Sequence, residues 1–297
     1  MKTGAIFAAV LALVLLWAAG AGLFVWYVTD SATAKPTPEP KPESLRTTAR
    51  PTTPEPAPAP FSQEMPDPDK HAKNAEPLPP IPLADAKSQT KALLPDKTLY
   101  LETKPDGTKR ILVVAEVCLR DGPLEVFLCK TNTKEHEAIL RTAVNAQFIH
   151  AALVAIGAKP GSPVQFLNPK TDEAEYKPAS GAKINVTIHY NRAGQLHTHA
   201  AQEWITDQKT KKPMTHQWVF AGSRFLKNPD NPSEPEYYTA NSGEVISISN
   251  FVDSMLDLPV EVSRDNVDLN FTARTDKIPP LLSKVWVILE PIAEKKK

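Results

Sequence analysis

Cysteine and net charge are both scarce in this sequence, and each scarcity removes a class of protein. The 297 residues include only 2 cysteines, too few to staple a fold, so the folded part must depend on a packed apolar core. The 34 lysines and arginines are balanced by 34 aspartates and glutamates. This balance gives no reason to expect nucleic acid as a partner.

Motifs for catalysis and nucleotide binding are absent as well. The sequence contains no glycine-rich phosphate loop and no dinucleotide fingerprint. Ser223 lies in the run A-G-S-R-F, whereas a nucleophile elbow requires G-x-S-x-G. His136-Glu137 does not begin a zinc-protease motif, because Leu140 stands where the second histidine would be. We therefore assign no catalytic and no cofactor-binding residue, and we favour a non-enzymatic role.

Charged side chains are missing from one long stretch, Gly4 to Val28. At about 1.5 Å per residue, a helix of this length crosses a hydrocarbon core of about 30 Å. Residues 1–28 are therefore predicted to be an uncleaved signal anchor that leaves the rest of the chain in the periplasm or another extracytoplasmic space. The alternative is a signal peptide cleaved at Ala32-Thr33-Ala34, which would release a secreted protein; such peptides usually have an apolar region of only about 7–15 residues.

Proline is concentrated in the next segment, since fifteen of the 30 prolines lie between Pro36 and Pro82. Proline fixes φ and removes a hydrogen-bond donor, which disfavours both helix and sheet. Tracts of this composition adopt extended polyproline II and act as semi-rigid spacers. We therefore predict a disordered linker over residues 29–94, followed by a globular domain over residues 95–297.

The globular part has the pattern of strands over most of its length. Lys183–Tyr190 alternates cleanly between apolar and polar residues. Asp121-Gly122 is a hairpin signal between two β-rich runs. Helical spacing occurs from Asn145 to Gly157 and again in Phe251–Leu258. We predict an α+β domain, mostly antiparallel sheet with two or three short helices, preceded by the transmembrane helix and the proline-rich linker.

Several short motifs follow one another along the folded part. They are Cys118, Arg120, Gly122, Leu124, Glu125, Cys129, Lys134-Glu135-His136-Glu137, His150-Ala151-Ala152-Leu153, Gly157-Ala158-Lys159-Pro160-Gly161, Trp204-Ile205, Pro213-Met214, Trp218–Ser223, Ser249-Asn250-Phe251 and Asp257-Leu258-Pro259. In this order they resemble the YdjY-domain family, which occurs in envelope proteins of planctomycete-type bacteria. The resemblance implies an exported or membrane-anchored envelope protein.

Some members of that family are described as ferredoxin-like or as metalloproteins. This sequence has no C-x-x-C-x-x-C run, so an iron–sulfur cluster is not supported.

Four residues of the central stretch are candidate metal ligands: Cys118, Cys129, His136 and His150. Thiolate and imidazole suit a zinc or a copper ion, although these spacings match no standard zinc module. One alternative is that the two thiols are free, buried and act as small apolar groups. The other alternative is a disulfide. A tight hairpin at Asp121-Gly122 would hold the sulfurs too far apart for this bond, whereas a wider loop would allow it.

A second group of polar residues comprises His197, His199 and Glu203, which fall on one face of a strand. A three-residue loop before this strand would place His189 opposite His197 and form a cluster of three histidines. A two-residue loop would place His189 on the other face. We favour a solvated polar face for these residues.

Two functions remain open from the sequence. The first is a non-catalytic module, membrane-anchored through its N-terminal helix, that binds an envelope partner or ligand or has a structural role. The second is a metal-binding or redox protein that uses Cys118, Cys129, His136 and His150.

Overall fold

The structure is a computed structural model that describes residues 72–167, 174–262 and 270–293. The predicted anchor, the predicted cleavage site and the linker up to residue 71 lie outside the described residues. In the part of the chain that the structure describes, no helix is both long enough and apolar enough to cross a membrane.

The described residues form one α-helix, three short 3-10 helices and 18 strands. The α-helix is α1 (Ala146–Ala155), and the 3-10 helices are Ala72–Asn74, Ala201–Trp204 and Thr239–Ser242. The first nine strands are β1 (Gln89–Ala92), β2 (Leu99–Thr103), β3 (Lys109–Val117), β4 (Val126–Lys130), β5 (Ala138–Thr142), β6 (Gln165–Leu167), β7 (Ala174–Lys177), β8 (Lys183–Arg192) and β9 (Gln195–Ala200). The others are β10 (Ile205–Asp207), β11 (Lys212–Pro213), β12 (Trp218–Phe220), β13 (Phe225–Leu226), β14 (Tyr237–Tyr238), β15 (Ile246–Ser247), β16 (Leu256–Asp257), β17 (Phe271–Ala273) and β18 (Lys284–Pro291).

Eight of these strands close into a barrel. Around the barrel the order is β3, β18, β8, β12, β16, β15, β4 and β5, and β5 pairs again with β3. Closure pairs the backbone N–H and C=O groups that an open sheet would leave without hydrogen-bond partners along its edges. The α+β prediction is therefore wrong: the described part of the domain is mostly β, with a single α-helix.

The barrel is filled by side chains that alternate along its strands. In β8, Ile184, Val186 and Ile188 are all buried in the main core, as their alternation predicts. The strand β18 buries both faces, because Trp286 and Ile288 lie on the outside of the barrel in a second apolar cluster. Its continuous apolar run is typical of a strand covered on two sides.

The predicted hairpin at Asp121-Gly122 is wrong. The strand β5 lies between β3 and β4; it runs antiparallel to β3 and parallel to β4. After β3, Gly122 accepts a hydrogen bond from Ala273 N, and Leu124 N donates to Phe271 O, so this segment pairs with β17. A local turn signal does not specify which strand will lie alongside, and here a distant strand supplies the pairing.

The central helix is confirmed by α1. Ile149 and Leu153 are fully buried, and Gly157, at φ +93°, follows the helix in the left-handed conformation that favours glycine. The predicted cap residue Asn145 makes no side-chain cap bond. Instead Ala146 N donates to Asn241 Oδ1 at 2.8 Å, a partner remote in sequence that local capping rules do not reveal.

The second predicted helix, Phe251–Leu258, is not formed. This segment makes a turn and then enters β16, which pairs with β12 and β15. Ser254 Oγ donates to Ser247 Oγ at 2.7 Å, and Asp257 Oδ1 accepts the N–H of Leu258 at 2.7 Å. Short polar side chains that bond in this way compete with helix formation.

The described end of the predicted linker contacts the outside of the barrel. Trp286 Nε1 donates to Pro79 O at 2.9 Å, and Leu78 and Ile81 pack against the apolar cluster that contains this indole. Further along, β1 pairs with β2 and extends the sheet. Residues 72–94 therefore cover apolar surface of the folded domain.

We predict that a fragment beginning at residue 95 is less stable than one beginning at residue 72. Loss of residues 72–94 would expose Trp286, Ile288 and Leu112. Burial of each such side chain stabilises the folded state by about 1.5–3 kcal/mol. Urea denaturation followed by tryptophan fluorescence should show a free energy of unfolding lower by at least about 2 kcal/mol. Equal midpoints for the two fragments would mean that the segment adds nothing to the fold.

Candidate functional site

Two of the four predicted metal ligands, Cys118 and Cys129, are neighbours in the barrel wall. Both thiols are free and buried, and Cys118 Sγ donates to Ala138 O at 3.0 Å. The hydrogen bond with Cys129, together with burial, raises the pKa of Cys118 far above its ordinary value. The Cys118 thiol is therefore neutral. The predicted register had separated the sulfurs, but β5 lies between β3 and β4 and changes that register.

The two histidines do not join the thiols. The His136 side chain is 63% exposed, and its Nε2 lies 3.8 Å from Glu137 Oε2. His150 Nδ1 lies 2.8 Å from the Tyr238 hydroxyl, which itself donates to Gly222 O at 2.9 Å. Burial lowers the pKa of His150, so its imidazole is neutral and donates from Nδ1.

No group of three or more His, Cys, Asp or Glu side chains converges as a metal site among the described residues. The structure thus brings together the two cysteines and leaves His136 and His150 elsewhere. Metal binding by this set of four stays a prediction.

Both thiols should be unreactive in the folded protein. Cys129 is fully buried, and the raised pKa of Cys118 leaves almost no thiolate, which is the reactive species. We expect Ellman's reagent at pH 8 to detect no thiol in the native chain and two after unfolding in guanidinium. Fast labelling of the native protein would contradict this burial. No thiol after unfolding without reductant would mean that the sulfurs had joined as a disulfide.

A buried ionic cluster lies at one end of the barrel, centred on Lys134. Its Nζ is 2.9 Å from Glu137 Oε1, 3.5 Å from Glu244 Oε1 and 3.6 Å from Glu125 Oε2. The ring of Phe251 covers the same ammonium, with its centroid 4.3 Å from Nζ. All three carboxylates belong to buried residues. One cation thus joins the β4–β5 connection to the segments that precede β4 and β15.

Glycine at position 243 makes room for this lysine. A Cβ built there would lie 2.9 Å from Lys134 Cγ, and the backbone φ of Gly243 is +136°. Both the space and the conformation therefore require glycine. Lys134–Glu137 was identified from the sequence only as a family motif. The signal that could have indicated the cluster is a run of charges between two buried strands.

The cluster contains more negative than positive groups, and this imbalance shifts its pKa values. Burial raises the pKa of Glu125 to about 7, and the charge of Glu137 adds to this effect. Burial also raises the pKa of Glu244, whose Oε2 has no hydrogen-bond partner. Burial alone would lower the pKa of Lys134, but the hydrogen bond to Glu137 and the surrounding carboxylates raise it.

Glu125→Gln should reduce the pH dependence of stability. A carboxyl whose pKa is about 7 in the folded state and near 4.5 when unfolded binds more protons when folded, so stability falls as the pH rises from 4.5 through 7. We expect the wild type to lose about 1–3 kcal/mol over this interval through Glu125, and the variant to lose correspondingly less. The measurement is urea denaturation at pH 5 and pH 8.

The matched control for this change is Glu234→Gln, which removes a carboxylate from an exposed loop. Asp257, whose pKa burial raises to about 8, remains in every variant and contributes the same slope to each. An identical pH dependence in wild type and Glu125→Gln would contradict the assignment.

A groove with basic walls lies elsewhere on the domain. Its volume is about 700 Å³, and the residues that line it are Lys73–Glu76, Arg120, Arg192, Ala193, Pro280 and Leu281. They come from the start of the described chain, the segment after β3, the end of β8 with the turn that follows it, and the connection before β18. Glu76 Oε1 accepts the N–H of Ala193 at 2.9 Å, which fixes the acidic wall of the groove to the turn.

The two arginines of this groove are held by backbone carbonyls. Arg120 Nη2 donates to Thr275 O and Ile278 O, each at 3.0 Å, and Arg192 Nη1 donates to Asp276 O. Within the described residues, neither guanidinium has a carboxylate within 4.0 Å; the nearby Asp276 carboxylate pairs with Arg274. Burial lowers the pKa of Arg120, and the charge of Arg192 lowers it further. Two like charges therefore face each other here.

The closed sheet of eight strands makes the described part of this chain a β-barrel domain. The chain is a member of the YdjY-domain family, because residues 106–290 match the family model of the YdjY domain. This match confirms the resemblance noted in the motifs. No curated protein and no solved structure matched the chain.

Proposed function

We propose that this chain is a membrane-anchored, exported binding module of the cell envelope that receives a carboxylate- or phosphate-bearing ligand in the basic groove. The observation that carries the proposal is the pair Arg120 and Arg192, two neighbouring guanidinium groups without a carboxylate partner in the described chain. The uncharged stretch Gly4–Val28 and the proline-rich tract support the anchored, exported placement.

The hydrogen bonds of the two arginines leave donors free for a ligand. Arg120 uses Nε and Nη2 for Ile278 O and Thr275 O, so Nη1 has no protein acceptor among the described residues. Arg192 uses Nη1 and keeps Nε and Nη2. A planar guanidinium presents such donors in a geometry that matches two oxygens of one carboxylate or phosphate.

An anion in this groove would also remove an electrostatic cost. The charge of Arg192 disfavours the charged form of Arg120, and a bound anion would replace this repulsion by attraction to both groups. Lys73 adds a third positive charge at the exposed wall. The only acidic residue among those that line the groove, Glu76, uses one oxygen to accept a backbone N–H.

The alternative is the metal-binding or redox protein considered from the sequence. The contact between Cys118 and Cys129 is the observation that favours it, and the separate surroundings of His136 and His150 weigh against it. Its test is a zinc titration of the reduced chain beside a Cys118→Ser, Cys129→Ser double variant. Equal binding by the two proteins would exclude this pair as ligands.

We predict that the groove binds small anions and that Arg192→Gln weakens this binding by about 10-fold or more, as the loss of a charged hydrogen bond does. Calorimetric titration of the full chain with inorganic phosphate and, separately, with citrate would show which oxyanion chemistry is preferred. Binding should weaken as sodium chloride is raised, because the contact is between charges.

Two further variants make this experiment decisive. Arg192→Lys keeps the charge and loses the planar fork, so an intermediate affinity is expected. Arg224→Gln is the matched control, because Arg224 is exposed, lies outside the groove and pairs with Asp253. Absence of saturable binding, or an equal loss in the Arg224 variant, would overturn the proposal.

A further inference from the structure

Two histidines, His197 and His199, project from one face of β9. This strand pairs with β8 through a two-residue turn, Ala193-Gly194, in which both residues have positive φ. Of the two loop lengths considered from the sequence, the two-residue loop is therefore correct. His189 lies opposite Thr198, on the other face of the hairpin, and its Nδ1 is 2.7 Å from Thr198 Oγ1.

The rings of His197 and His199 lie side by side over a rigid floor. Their centroids are 6.0 Å apart and their planes differ by 23°. The floor is Tyr190, which is buried and stacks on His197 at 5.4 Å. Tyr190 is itself fixed by Trp204, at 5.1 Å in an edge-on arrangement, and by a hydrogen bond from its hydroxyl to Lys277 O.

Glu203 determines which nitrogen of His199 is available. Its Oε2 lies 2.9 Å from His199 Nδ1, so a neutral imidazole donates its Nδ1–H to the carboxylate and keeps the lone pair on Nε2. This carboxylate–imidazole pair is the arrangement that orients histidine ligands of metal ions and increases their basicity. Both residues are partly exposed, so an ion in solvent can reach them.

We propose that His197 and His199 form a two-ligand site for a late first-row divalent metal ion, with Glu203 as the positioning residue. Neutral imidazole is a preferred ligand of Zn²⁺, Ni²⁺ and Cu²⁺, and the general order of affinity predicts that Cu²⁺ binds most tightly. Alternate residues of a strand share a face, and the two ring centroids are 6.0 Å apart, so one ion bound at this face lies within reach of both imidazoles.

Two protein ligands leave the other coordination positions open. No third His, Cys, Asp or Glu side chain converges with them in the described ranges. Water, or a donor from a ligand, would complete the coordination of the ion. The site is separate from the cysteines of the barrel wall and from the arginine groove, so it stands or falls independently of the proposed function.

The test is titration of the full chain, free of any affinity tag, with Cu²⁺ and with Zn²⁺ by calorimetry, together with electron paramagnetic resonance of the copper form at pH 7.5. We expect one saturable Cu²⁺ per chain with two nitrogen ligands. His197→Asn and His199→Asn should each weaken binding by about 100-fold or more. Glu203→Gln should weaken it by about 10–100-fold while the two-nitrogen signature is kept.

His189→Asn is the matched control, since it removes an imidazole from the same hairpin on the opposite face. It should leave the affinity unchanged, and circular dichroism should show that all variants fold. Loss of binding in His189→Asn equal to that in His197→Asn would overturn the proposal. A wild type that binds no saturable Cu²⁺, or a copper spectrum with a single nitrogen, would overturn it as well.

Discussion

The parallel pairing of β5 with β4 is the contact on which the rest of the domain depends. Because β5 also pairs with β3, it closes the barrel. Parallel neighbours usually need a crossover of a dozen or more residues, but here only residues 131–137 separate the two strands. At about 3.3 Å per residue, this connection can span only slightly more than the length of a five-residue strand, about 17 Å. It must return along the whole of that length to begin a parallel strand. This connection therefore lies close against the barrel.

This tight connection accounts for the ionic cluster. Lys134, Glu135 and Glu137 come from a loop that cannot leave the barrel surface. The two glutamates are therefore buried and the lysine is half-buried among neighbouring segments. Glu135 accepts the N–H of Asn132 inside the same loop. Removing the Lys134 ammonium would take the shared cation away from three buried carboxyl groups, a strongly destabilising change. The cluster thus has a structural role, with its lysine enclosed by carboxylates of the same chain. The arginines of the groove differ, since their charges are not neutralised by the described chain.

Local features were predictable from the sequence, and the order of strands was not. The alternation of Ile184, Val186 and Ile188 predicts the core face of β8, and the glycine at 157 predicts the end of α1. These signals depend on nearest neighbours in the chain. The hairpin at Asp121-Gly122 failed because β5 and β17 supply the pairing from a distance. The segment Phe251–Leu258 has helical spacing, but its polar residues bond to β15 and to their own backbone.

The candidate sites show the same division. Sequence reasoning placed His197, His199 and Glu203 on one face, since alternation along a strand needs no tertiary information. It could not decide between two loop lengths before that strand, because register depends on a single residue. The pair of Arg120 and Arg192 was also invisible to it, because the residues are 72 positions apart and meet only through the segment 275–278 that both contact. A tight hairpin would have separated Cys118 and Cys129, which were proposed as joint metal ligands, and the barrel makes them neighbours instead.

One short segment positions both surfaces to which we assign binding. Three consecutive carbonyls accept hydrogen bonds from three different side chains: Asp276 O from Arg192, Lys277 O from Tyr190 and Ile278 O from Arg120. Tyr190 is the floor beneath the histidines, and the arginines are the charged wall of the groove. The barrel is closed without β9. This strand pairs with the part of β8 that extends past its contact with β12. The hairpin tip is therefore not required for closure, yet it is fixed by buried aromatic packing and carbonyl bonds. Rigid support of exposed polar groups is what a binding surface needs and what a solvated surface alone does not explain.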